Sequence, residues 1–234
     1  MGEAAVVDRH AARPRRLVVV TGTGTAVGKT WVSAHLLRAL RARGLTVAAR
    51  KPVQSHDPGD SLDLGDAEIL AAATGEDPLA VCPVHRRFGV ALAPPMAAAQ
   101  LGLAAPVLTE MVSELERGWP HPAVDVGLVE GAGGAASPLA ADGDTATLAG
   151  LLAPDLLVLV ADPSLGVIHH VCAAAAVLRA AGRIEPPVVH LNRYDPAERV
   201  HVLGREWLRV RDALTVTATI EDLAGVVDAR AGDG

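Results

Sequence analysis

Short apolar runs of strand length alternate with longer stretches rich in Ala and Leu along this chain. The runs fall at residues 17–20, 45–50, 125–129, 156–161, 188–191 and 214–218. Most of them are dominated by Val, Leu and Ala, as strands buried on both faces are. Between them, helical spacing predicts helices over 29–43, 66–74, 106–117, 167–181 and 196–211, with a short one over 145–152. Strand and helix in turn define an α/β fold, a mostly parallel β-sheet with helices on both faces. In such sheets the loops after the strands share one crevice, which is where ligands bind. Functional residues are therefore expected just past the strand ends.

Composition narrows this picture. A chain of 234 residues is long enough for one core of ordinary size, so residues 17–234 are expected to form a single domain behind a loose tail at 1–16. Hydrophobic residues make up 50% and aromatic residues 2%, so Ala, Val and Leu must build that core. The net charge of -6 argues against nucleic acid, whose phosphates are held by clustered Lys and Arg. Any phosphate site must then be local. Arg13, Arg15 and Arg16 precede an apolar run too short for a signal peptide, and no segment approaches a membrane span. Cys82 and Cys172 show no metal-ligand spacing, which suits a reduced, cytoplasmic protein, and both are expected to be small buried residues.

The first run leads into Gly22-Thr23-Gly24-Thr25-Ala26-Val27-Gly28-Lys29-Thr30, with the helical stretch of 29–43 carrying on through Trp31. Small residues let consecutive backbone N–H groups curl around a phosphate at a helix N-terminus. Lys29 then reaches the β- and γ-phosphates, and the Thr30 hydroxyl ligates Mg²⁺. The pattern G-x-x-x-x-G-K-[ST] is missed by one place, because Thr23 stands where its first Gly belongs. The strand–loop–helix setting still makes this a phosphate-binding loop of the P-loop NTPase-like kind. The partition ATPases and nitrogenase iron proteins carry a signature lysine early in this loop, where this chain has Gly24.

After the second strand comes Lys51-Pro52-Val53-Gln54-Ser55. A lysine there can place a second positive charge over a phosphoryl group in transfer, although one at a strand end can also snorkel to solvent. Asp57, Asp60, Asp63, Asp66 and Glu68 crowd the next segment, and Asp66 alone, opening a helix, is placed for a metal role. The third strand ends in Glu130-Gly131-Ala132-Gly133-Gly134, a carboxylate beside small residues that permit close approach to a metal and nucleotide.

Together these motifs resemble the dethiobiotin synthetase family in order and spacing, over about residues 17–220. The resemblance implies carboxylation of an amine of 7,8-diaminononanoate by CO₂, phosphorylation of the carbamate by ATP, and closure of a cyclic urea by the second amine. Lys29, Lys51 and Thr25 would be catalytic, and Thr30, Asp66 and Glu130 would hold Mg²⁺. Residues 24–31, with Gly131, Ala132 and Gly133, would line the nucleotide, and Asn192 would read adenine. Ser55, Gly133 and Gly134 would touch the substrate. Leu165, Gly166 and His169 resemble the segment that receives the substrate carboxylate from the neighbouring subunit, which implies a homodimer.

The chain departs from the family at Ala26, where an acid is common, at His56, usually Gly, and at His169, usually Asn. Residues 217–221 replace a Gly-x-Ile-Pro base-binding loop. A tyrosine offered to the substrate tail by some members would fall near Gly204. Two alternatives follow from these changes: the same ATP and carbamate chemistry on another amine, and a nucleotide-switched regulatory ATPase. Of His169 and His170, adjacent on a helix and about 100° apart, at most one can face a given ligand.

Overall fold

The computed structural model describes residues 13–57, 59, 65–182, 185–210 and 213–229. Six parallel strands form the central sheet: β1 (Arg16–Gly22), β2 (Val47–Arg50), β5 (Val126–Glu130), β8 (Leu156–Ala161), β9 (Val188–Leu191) and β10 (Val216–Thr217), in the order β10-β9-β8-β1-β5-β2. Two small pairs lie outside it, β3 (Gln54–Ser55) with β4 (Arg87–Phe88) and β6 (Pro138–Ala140) with β7 (Gly143–Asp144). The helices are α1 (Lys29–Ala42), α2 (Asp66–Thr74), α3 (Pro78–Val81), α4 (Pro94–Gln100), α5 (Leu108–Arg117), α6 (Thr145–Leu152), α7 (Val167–Ala180), α8 (Arg199–Val210) and α9 (Ile220–Ala229).

Alternate side chains of β1 point to opposite faces and join two separate cores. Leu17 and Val19 pack with apolar residues of α5, α6, α7 and α8, while Val18 and Val20 pack with those of α1, α2 and α9. The sheet is thus sandwiched between two helical layers, as the apolar runs imply. β1 runs between β5 and β8, so the loop after it opens at the middle of the sheet, with the β5 and β8 loops alongside.

Two expectations need correction. Residues 13–16 are fastened rather than loose: the backbone N–H groups of Arg15 and Arg16 donate to Val124 and Asp125, and Arg16 already belongs to β1. The rest of the expected tail lies outside the described residues. Cys82 is buried but Cys172 is exposed, because it faces away from the α7 stripe of Val167, Val171, Ala174 and Leu178 that meets the sheet. The acids Asp60 and Asp63 also lie outside the described residues. The short elements α3, α4, β3, β4, β6 and β7 and the final helix α9 have no counterpart in the sequence reading; most are too short to show a period.

Candidate active site

Three backbone bonds moor the end of β1 and the start of the loop that follows it. The N–H of Thr23 donates to Val160 of β8, that of Gly131 to Val20, and that of Ala135 to Gly22, at 2.9–3.0 Å. Gly28, the last residue before α1, has φ +92, and a Cβ there would overlap the Asn192 amide. Only glycine satisfies both the backbone angle and that contact. Asn192, just past β9, donates from Nδ2 to the Val27 carbonyl at 2.9 Å, so it also buttresses the loop. Gly133 is similarly constrained, at φ +67 with the Ser137 hydroxyl against it.

Charge converges beneath this loop. Lys29 is buried and donates from Nζ to the Gly24 carbonyl at 3.0 Å. Burial, and then the positive charge of Lys51, bring its pKa down to about 8 against a partial offset from Glu130 and Asp66. Lys51 is 2% exposed and lies 2.7 Å from both Glu130 Oε1 and Asp66 Oδ2, and 3.1 Å from the Gly131 carbonyl. Burial disfavours its charge, but the two carboxylates outweigh that and hold its pKa above the ordinary lysine value. Burial pushes the Asp66 pKa up, but the charge and hydrogen bond of Lys51, the Thr30 hydroxyl and the charge of Lys29 together outweigh it, so its pKa lies below the usual range. The lysine has not snorkelled to solvent.

Thr30 Oγ1 stands 2.7 Å from Asp66 Oδ1 and 2.8 Å from Glu130 Oε1. One hydroxyl proton serves only one of these acceptors. Glu130 is fully buried and its Oε2 has no hydrogen-bond partner among the described residues. Three oxygens with more acceptors than donors fit a divalent cation that keeps water and phosphate as its remaining ligands. Among the described residues there is no group of three or more His, Cys, Asp or Glu side chains placed to hold a metal ion.

A cavity of roughly 560 Å³ opens over these groups, lined by Thr25, Ala26, Gly28, Lys29, Thr30, Trp31, Lys51, Ser55, Asp66, Ala132 and Gly133. Gly24, Val27, Gly131 and Gly134 are not among its lining residues, although Gly134 packs closely on Gly24. The Ser55 hydroxyl is buried and has no hydrogen-bond partner among the described residues. Residues outside the sequence reading also contribute. Gln54 accepts the Ala67 N–H at 3.1 Å and so anchors the helix turn that aims Asp66, while Ser137 accepts the Gly134 N–H at 2.8 Å. Leu92, Ala93 and Pro94 close the far wall. Gln54 lies within the segment flagged after the second strand; Ser137 and the wall carry no local signature.

Leu165, Gly166 and His169 do not line this cavity. They border a separate one of roughly 1370 Å³ between α7 and α8, with Trp207 and Gly204. His170 is absent from its lining, and the two histidine rings meet edge to face with centroids 5.7 Å apart.

A phosphate loop at the centre of a parallel sheet, with two buried lysines and two carboxylates beneath it, defines a P-loop nucleotide-dependent enzyme. A family described as an AAA domain matches residues 16–229. The ATP-dependent dethiobiotin synthetase BioD of Caulobacter sp. (strain K31) is 46% identical over 168 residues, 69% of this chain and 70% of that protein. The BioD of Anaeromyxobacter sp. (strain K) is 40% identical over 208 residues, 82% of this chain and 87% of that protein. The chain belongs to the dethiobiotin synthetase family, whose members are ATP-dependent ligases that form carbon–nitrogen bonds. A plasmid partition protein from Borrelia burgdorferi aligns with TM-score 0.54 over 94% of this chain and 98% of its own, at 11% identity, which is a likeness of fold alone.

Proposed function

We propose that this chain makes dethiobiotin from 7,8-diaminononanoate, CO₂ and Mg-ATP through a carbamic-phosphoric anhydride. The observation that carries this reading is the bonded set Thr30–Asp66–Glu130–Lys51, with Lys29 beside it, under a cavity walled on its other side by Ser55. A carbamate is a poor electrophile, and phosphorylation turns its oxygen into a leaving group for the second amine. Lys29 and Lys51 hold positive charge where the transferred phosphoryl group passes, and Thr25 and Ser55 face the carbamate end. Thr30, Asp66 and Glu130 would hold Mg²⁺, which when bound neutralises phosphate charge and orients the phosphates.

The second cavity fits the same reading in a homodimer. Leu165 is 88% and Val210 85% exposed, and Leu203 and Trp207 also stand out of the α7–α8 face, an apolar surface of the kind that pairs with another protein. Pairing of two copies across it would bring the start of α7, a helix N-terminus suited to a carboxylate, to the neighbour's substrate.

His56 and His169 favour a second reading, the same chemistry on a different amine. Incubation with diaminononanoate, bicarbonate and Mg-ATP separates the two. Formation of dethiobiotin together with ADP and phosphate is the expected result. ATP binding without any cyclic urea, and ADP release stimulated by another diamine, would sink the first reading.

A further inference from the structure

A third cavity, roughly 450 Å³, lies on the other side of the phosphate loop, and Trp31 lines both it and the phosphate cavity. Its walls come from the first turns of α1, the end of β9 and the segment 218–221. Trp31 is stacked on His35 at 3.9 Å between ring centroids, and His35 Nδ1 is held at 2.7 Å from the Trp31 carbonyl. The pair forms a stiff aromatic platform of the kind on which nucleobases stack.

At the back of this cavity is His190, 2% exposed. Its Nδ1 lies 3.0 Å from Thr217 Oγ1, and that hydroxyl donates to the Val189 carbonyl at 3.4 Å. Both bonds form together only if Nδ1 carries the ring proton, because the single Thr217 hydroxyl proton is spent on Val189. The other nitrogen, Nε2, is then a bare acceptor, with no hydrogen-bond partner among the described residues. Burial, partly offset by Asp222, lowers the His190 pKa to about 4, so the ring is neutral at neutral pH.

We propose that His190 Nε2 is the base-selecting group of this chain, accepting a hydrogen bond from the exocyclic amine of adenine stacked at Trp31. The inference rests on the nucleotide site of the proposed function and adds its specificity. A base with a carbonyl at that position, such as hypoxanthine, would set one acceptor against another. An unsubstituted purine would leave Nε2 unpaired.

The test is calorimetric titration of the native chain, in magnesium buffer, with ATP, inosine triphosphate and purine riboside triphosphate. ATP is expected to bind about tenfold tighter than either analogue, the effect of one buried hydrogen bond. His190→Leu is expected to bring the three affinities within about twofold of one another. Thr217→Val, which frees the ring tautomer without changing side-chain volume, is expected to shrink the preference for ATP over inosine triphosphate. Equal affinities in the native chain overturn the role of His190 and leave the proposed function standing, as does equal weakening of all three ligands in the variants. Failure of the native chain to bind any of the three overturns both.

Discussion

Lys51 is a buried cation whose removal would leave Glu130 buried and uncompensated. Breaking such a pair from one side costs about 3–5 kcal/mol, so Lys51→Met is expected to lower the melting temperature by roughly 6–20 °C. Loss of its charge at the phosphoryl group is also expected to cut kcat by about 10²–10³. Thermal denaturation and steady-state turnover check the two effects separately. His190 gives a second residue-level prediction. Its folded pKa, about 4, is depressed below the unfolded value near 6.5. Between these values the unfolded chain binds the proton and the folded chain does not, so stability is full above about pH 6.5 and falls as pH drops toward 4. The loss at pH 5 is about 2 kcal/mol. Urea unfolding at pH 7 and pH 5 should show it, and His190→Leu should remove most of the difference.

At the scale of elements, the loop and its helix behave as one part, set by Gly28 and Asn192. Gly28→Ala would place a methyl group against the Asn192 amide at a left-handed φ, so it is expected to weaken ATP binding at least tenfold, by calorimetry. This part of the site was legible in the sequence because its residues are neighbours in the chain: residues 22–30 show strand, loop and helix in one reading. The strand ends holding Lys51 and Glu130 were legible for a related reason, since a parallel sheet collects the residues that follow its strands. By contrast, Gln54, Ser137 and the pair His190–Thr217 act through contacts between distant segments, with no spacing to announce them. Composition ranks cysteine as buried, whereas the α7 stripe decides which face Cys172 takes. Helix α9 was overlooked behind β10, whose two residues leave little pattern around them.

For the whole molecule, the two larger cavities lie in different places on one chain, one over the loop and the other between α7 and α8. If two copies pair across the α7–α8 face, a charge placed there separates assembly from nucleotide binding. Leu203→Asp is expected to give a monomer by sedimentation velocity, to keep its affinity for ATP, and to lose most dethiobiotin formation.

The position of β1 has a further consequence. It precedes its partners by a wide margin along the chain, since they begin at residues 126 and 156, and the loop after it is tied to Val160 and buttressed by Asn192. Pairings over such sequence distances close late in folding. During synthesis, the segment bearing the phosphate loop must therefore wait while most of the chain emerges. A growing chain bound to ATP would already have its sheet joined from β1 through β9, so nucleotide capture would serve as a clock for the completion of folding.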